Sequence, residues 1–353
     1  MVAVLAYVLC AKVMIWSACA LLAGDTSWTN AFHKWDSYWY EGLATTGYED
    51  GARLKDPSVG QSNWAFFPLY PALVRSVGVL LRIPPAWAME VLSWLSALGS
   101  ILAVRALFNV HGCQKPRDLT VFLLWPFCLF IYVHYSDALF LALACATLVA
   151  IARKRTGLAA LCSALLVLTR PNGLLFIPVV LLYHLARHPV QADGRRHIQG
   201  VRPLLLLLLA PAMTFALWCG YQWHATGDLF AFSTAQAGWG RHWSWPWESL
   251  FNSGGFAPQF ESWYTLVLLF ATGWYWKRLE WSFRAWLLVG IVVPMCSGSV
   301  DSMTRFAIAF VPLMLVVAQD IDRSERPVLA FGSLVVLQLI GLALWATYHP
   351  LMA

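Results

Sequence analysis

Charge is what this 353-residue chain has least of: Asp, Glu, Lys and Arg make up only 12% of it, about half the share usual in a soluble domain. That scarcity excludes an ordinary water-soluble fold. What replaces charge is apolar surface, 59% of the residues with a mean hydropathy of +0.62. It is arranged in repeated runs of roughly 17–23 residues, each long enough to cross a ~30 Å hydrocarbon core as a helix. Backbone polar groups in lipid must be satisfied internally, which selects helices over open strands. The expected fold class is therefore all-α and polytopic, one membrane domain over residues 1–353. The net charge of +6 does not suggest nucleic acid, because the basic residues sit in short loops between apolar runs.

Other absences narrow the chemistry. None of the eight cysteines forms a C-x-x-C pair, most lie inside apolar runs, and the two long polar loops contain none. No disulfide and no zinc site is expected, and no cofactor is implied. The first run, Val2–Ala23, lacks a basic leader and a small-residue cleavage pattern, so it reads as a retained helix. There is no internal repeat, no linker and no N-x-[ST] site. The D-x-D pattern at Asp320 and Asp322 lies at a helix end beside Arg323 with no βαβ context, and it is treated as chance.

Spanning helices are expected near 2–23, 86–108, 118–134, 137–152, 157–169, 172–186, 203–224, 262–276, 283–297, 304–319 and 328–347, about eleven in all. The segment 66–83 carries Arg75, Arg82, Pro68 and Pro71, and is expected to be re-entrant or interfacial, its arginines near headgroups. Five short connectors hold more than half of the 24 Lys and Arg: Lys115 and Arg117; Arg153, Lys154 and Arg155; Arg187, Arg195, Arg196 and Arg202; Lys277, Arg278 and Arg284; Arg323 and Arg326. The positive-inside rule makes their side cytoplasmic. The opposite side receives the two long loops, 24–65 and 225–261, and the short turns at 134–137, 170–172 and 300–305.

The polar motifs gather on that outer side. Trp35-Asp36-Ser37-Tyr38-Trp39-Tyr40 sets a carboxylate among aromatic rings, the arrangement a general base for a sugar hydroxyl needs. Trp35, Tyr38 and their neighbours also fit an interfacial aromatic belt. Ser136 and Asp137 stand between two apolar runs; an N-cap on the next helix competes with a binding role. Arg170, in Thr169-Arg170-Pro171-Asn172-Gly173, and Arg305, in Ser302-Met303-Thr304-Arg305-Phe306, sit at helix breaks. Arginine suits phosphate through bidentate charge-assisted bonds; snorkelling to headgroups is the competing account. In the second loop, Gln236, Trp239, Arg241 and His242 suit a carbohydrate, rings meeting C–H faces and polar groups meeting hydroxyls.

Taken in order, these motifs resemble the PIG-V family of GPI mannosyltransferase II and its prokaryotic relatives, in the GT-C superfamily of membrane glycosyltransferases. The resemblance runs through Trp35 and Asp36, Phe66-Phe67-Pro68-Leu69-Tyr70-Pro71, Ser136 and Asp137, the TRPNG at 169–173, the loop from Gly227 to Trp247, and Ser302 to Phe306. Asp137 departs from the pattern, standing where relatives commonly carry Glu. The resemblance implies a mannose donor on polyprenyl phosphate, a glycolipid or other glycan acceptor, and a site on the outer face of a prokaryotic plasma membrane. It implies Asp36 as the catalytic carboxylate; the arginine chemistry makes Arg305, at a helix start on the same side, the expected ligand of the donor phosphate, with Arg170 the second candidate. Trp35, Tyr38, Ser136, Asp137, Gln236, Trp239, Arg241 and His242 are the expected sugar or acceptor contacts. Two other classes compete: a lipid or oligosaccharide transporter, for which inverted repeats and broken midplane helices would be expected, and a structural scaffold, which has no need of acidic and basic groups on one face.

Overall fold

A computed structural model describes residues 2–56, 60–188, 194–251 and 256–352. Residues 57–59 and 252–255 of the two long loops, and the side chains of Arg195 and Arg196, lie outside the described residues. The chain is an all-helical membrane protein, 78% helix with no strand among the described residues. Four helices are long and apolar enough to cross a bilayer: α1 (Val2–Ala23), Pro85–Val110, Val201–Thr226 and Pro327–Ala346. A fifth candidate is broken, with Met303–Ala309 and Val311–Arg323 meeting at 71°.

Several expected spans are not single helices, and proline explains most of the breaks. The run 118–134 holds only the helix Pro116–Leu123, then Pro126, Phe127 in the left-handed region (φ 61°), and a 3-10 turn at Cys128–Ile131. The run 172–186 divides into Asn172–Leu175 and Ile177–Arg187, with Pro178 starting the second piece. Pro312 restarts the helix after Phe310. Proline lacks the N–H that a helix interior requires, so each of these runs turns where the ring falls. The expected count of about eleven spans is not reproduced by helices of full length. The segment 66–83 forms Leu69–Leu81, 13 residues. That is roughly 20 Å of helix, too short for a ~30 Å core. Tyr70, Pro71 and Val74 face inward while Val79, Leu80 and Leu81 are exposed.

With α2 (Trp28–Phe32), α3 (Asp36–Thr45) and α4 (Leu69–Leu81) packed at one end, the core is built on α5 (Pro85–Val110) and a shorter helix, Asp137–Ala152. Ser93, Ser96, Ala97 and Ser100 are buried along α5, and a methyl group added at Gly99 would just reach the Ala142 side chain at 3.6 Å. Small residues let helices approach closely where lipid supplies no hydrophobic drive.

A buried ionic cluster ties α1 to this core. Lys12 Nζ donates to Glu90 Oε2 and to Ser93 Oγ, both at 2.8 Å. Glu90 also accepts from Trp28 Nε1 and Trp94 Nε1 at 2.8 Å, and its Oε2 lies 3.0 Å from His134 Nε2. Removing one member leaves an uncompensated charge in a dry interior, which costs far more than removing both. Lys12→Met should therefore destabilise the protein by about 3–5 kcal/mol, while Lys12→Met combined with Glu90→Gln should recover part of the loss. Reversible unfolding in mixed micelles measures both; simple additivity would show that the pair is not coupled.

Candidate active site

The site starts from two chain segments held side by side, the first running into α3. Residues 32–40 run against 134–136: His134 N donates to Phe32 O at 3.2 Å, Tyr135 Oη donates to Lys34 O at 3.2 Å, and Tyr40 Oη and Ser136 Oγ share a hydrogen bond of 2.7 Å. Within the first segment Trp35 adopts φ 44° and ψ −108°, a conformation costly for a bulky residue and kept only where neighbours hold it. The holding groups come from the last helix. Lys34 Nζ donates to the carbonyls of Trp345 and Ala346 at 2.7 and 3.1 Å, closing acceptors that a helix C-terminus leaves open. The Trp35 ring packs on Trp345 and Tyr348, both at 5.2 Å. Asp36 then opens α3, where the helix dipole favours a carboxylate.

Asp36, Asp137, Arg170 and Arg305 meet here, although they come from four separate parts of the chain. Arg305 Nη1 donates to Asp36 Oδ2 at 2.5 Å and Arg305 Nε to Asp137 Oδ2 at 3.0 Å. Asp137 Oδ1 accepts from Arg170 Nη1. The order is Asp36–Arg305–Asp137–Arg170, with balanced charge. Asp137 and Arg305 are the inner pair, their side chains 2% and 5% exposed, whereas Asp36 is 16% exposed. Arg305 lies over the Tyr135 ring at 4.4 Å and Arg170 over Phe306 at 5.3 Å. Both bonds of Arg305 use Nε and Nη1, so Nη2 is committed to neither carboxylate, and Oδ1 of Asp36 is engaged by neither arginine.

Arg241 reaches toward the same cluster from the second long loop. It donates to Ser297 Oγ at 2.8 Å and to the carbonyls of Ser299 and Asp301 at 3.2 and 3.1 Å. Burial pushes its guanidinium below the ordinary arginine value; Asp301 and Asp36 oppose that and Arg305 and Arg170 add to it. The other expected contacts are spread around the rim. Ser136 is buried under Tyr40. Tyr38 is exposed and packs on His33 at 4.7 Å. The Trp239 ring stands edge-on to Trp39 at 5.5 Å. Gln236 accepts the Arg241 N–H through its backbone carbonyl, and His242 N donates to Ser297 O at 3.2 Å. Asp320 pairs with Arg278, and Asp322 with Lys115 and Arg117, so the D-x-D carboxylates are engaged by cations far from this cluster in the fold.

Two openings are found, of which the first is lined by members of the cluster. A narrow cleft runs from Asp137 and Arg170 past Asn172 and Phe306 to Phe176 and Trp286. A larger groove of about 490 Å³ lies between α3, α4 and the Val201–Thr226 helix, lined by Tyr48, Pro71, Arg75, Trp218 and Tyr221. Sequence reasoning missed the groups that support the site: Lys34, Glu90, His134 and Glu261. The signal was available for Glu90 and Lys12, which are ionisable residues inside apolar runs and functional candidates by default.

No protein-family model matches the chain, and no curated protein does. Solved structures do. The archaeal oligosaccharyltransferase AglB from Archaeoglobus fulgidus, in complex with an inhibitory peptide and a dolichol-phosphate, is 12% identical with a TM-score of 0.50; the match covers 99% of this chain and 56% of that one. The Archaeoglobus fulgidus oligosaccharyltransferase with Zn and sulfate matches at 12% identity and TM-score 0.47, over 98% and 53% of the two chains. The same enzyme tethered with an acceptor peptide matches at 13% and 0.47, over 99% and 54%. The chain thus spans just over half the length of these structures. The likeness is one of fold alone, and it does not reach the PIG-V family.

The burial gradient along the cluster makes the two aspartates unequal. Asp137→Asn strands two arginines and should destabilise the protein by about 3–5 kcal/mol. Asp36→Asn, at the open end, should cost clearly less. Thermal unfolding of the purified variants separates them; equal losses would contradict the gradient.

Proposed function

We propose that this protein is an inverting membrane glycosyltransferase that moves mannose from polyprenyl-phosphate-mannose to a lipid-linked or other glycan acceptor. The observation that carries the reading is the placement of Asp36. It is the most open member of a buried Asp–Arg–Asp–Arg chain, in a fold shared with an oligosaccharyltransferase. The oxygen Oδ1 takes the acceptor hydroxyl proton, and the acceptor oxygen attacks the anomeric carbon in line. The bond from that carbon to the phosphate oxygen breaks, and its electron pair leaves on polyprenyl phosphate. A β-linked donor then gives an α-mannoside.

A phosphate is already a good leaving group, so the demand on the protein is for positive charge aimed at the oxygens where charge develops. Arg305 Nη2, the outer edge of Arg170, and Arg241 lie around that position. Asp137 keeps Arg305 and Arg170 oriented rather than binding sugar, which revises its expected role. The groove with Arg75 at its side suits the apolar chain of an anionic lipid substrate, its walls apolar and its one cation without a hydrogen-bond partner among the described residues. The basic connectors at the other end of the helices support a cytoplasmic side there and an outer-face site here.

Purified protein in liposomes with radiolabelled polyprenyl-phosphate-mannose tests the reading. Asp36→Asn keeps shape and should lower kcat by roughly 10²–10⁴-fold, the usual loss for acid–base catalysis. Arg305→Lys keeps charge but loses the planar fork, so the donor KM should rise or kcat should fall. Normal turnover by Asp36→Asn, with another carboxylate essential, would reassign the base. Dispensability of every outer carboxylate would end the transferase reading.

A further inference from the structure

We propose that Glu261 is a positioning residue that aims Arg305, and through it the donor phosphate; this rests on the transferase reading above. Glu261 belongs to the helix Phe256–Trp274 and is 2% exposed. Its Oε2 accepts the backbone N–H of Thr304 at 2.9 Å and its Oε1 accepts the Thr304 hydroxyl at 2.7 Å. Both carboxyl oxygens thus bond to the residue immediately before Arg305, and the Met303 backbone adds a further hydrogen-bond contact. No Lys, Arg or His forms an ion pair with Glu261 among the described residues.

The need for this contact comes from the way the arginine is mounted. Arg305 sits on the four-residue helix Met303–Phe306, between a left-handed Ser302 (φ 68°) and the break at Phe310. The Met303 N–H donates to Val300 O at 3.1 Å and the side chain of Ser302 does not cap that helix, so the next N–H, that of Thr304, needs an acceptor from elsewhere. Glu261 supplies it from a neighbouring helix. Successive side chains on a helix diverge by about 100°. Fixing Thr304 against Glu261 therefore fixes the direction in which Arg305 leaves the backbone, toward Asp36 and Asp137. A buried carboxylate with no counter-ion is an expensive way to cap one turn. It is well suited to holding a guanidinium within the small tolerance that catalysis allows.

Kinetics with polyprenyl-phosphate-mannose, and direct binding of unglycosylated polyprenyl phosphate, test the assignment in Glu261→Gln, Thr304→Val, Thr304→Ser and the Glu261→Gln/Thr304→Val double variant. Glu261→Gln, which offers one acceptor oxygen where Glu261 offers two, should raise the donor KM and weaken polyprenyl-phosphate binding by about tenfold, as expected for losing one buried hydrogen bond. The acceptor KM should stay unchanged. Thr304→Val should behave alike, the double variant no worse than either single one, and Thr304→Ser should keep wild-type donor binding. A purely structural Glu261 would lower the folded fraction, and with it apparent kcat, while leaving donor KM and phosphate binding untouched; that result overturns the proposal. If wild-type protein binds polyprenyl phosphate but transfers no mannose, the transferase reading fails while the binding comparison still decides on Glu261. Wild-type protein that does neither sinks both.

Discussion

The Arg305 guanidinium joins two carboxylates that the chain would otherwise have no reason to bring together. One edge of the fork holds the buried Asp137 and the next holds the more open Asp36. Asp137 in turn fixes Arg170. Four charges taken into a membrane protein one at a time would each carry a large desolvation cost; taken as an alternating chain, each is the partner of the next. The fold's irregularities serve that chain. The helix breaks at Pro171, at Ser302 and before Asp137 put the charged residues at element ends, where side chains converge without a regular helix carrying them into lipid.

A second layer keeps the chain in register. The ladder between residues 32–40 and 134–136 places Asp36 opposite Asp137. Its two ends are pinned by groups of opposite character. At one end Glu90 gathers Lys12, Trp28, Trp94 and His134; at the other Lys34 grips the last carbonyls of the C-terminal helix. Between them Trp35 is held in a strained backbone conformation, the kind of local cost that persists when surrounding structure over-determines it. The aromatic residues around Asp36 are therefore partly architectural. Trp35 braces the loop against Trp345 and Tyr348, whereas Trp39 and Phe66 form an aromatic cluster with Trp239 of the second long loop.

Much of this was legible in the residues themselves. Apolar run length points to a helical membrane chain, and polar residues at breaks in those runs single out Asp36, Asp137, Arg170 and Arg305, which the fold brings together. Their pairing was not legible, because Asp137 meets partners 33 and 168 positions away, and no local pattern reports such contacts. The residue types at 136–137 point to a sugar contact, and nothing local to them shows that Asp137 also bonds two arginines. Run length also misled where proline intervened: 118–134 is apolar enough to span, yet Pro126 and Phe127 turn it. Glu261 carried no local signal, since its partner Thr304 lies 43 positions away.

The most direct test of the account is a cryo-electron microscopy structure of the protein with polyprenyl phosphate bound. The account predicts phosphate density against Arg305, with Asp137 still holding Nε of that arginine and Asp36 facing an open position for an acceptor hydroxyl. Phosphate bound elsewhere, with Asp36 still closed on Arg305, would contradict it.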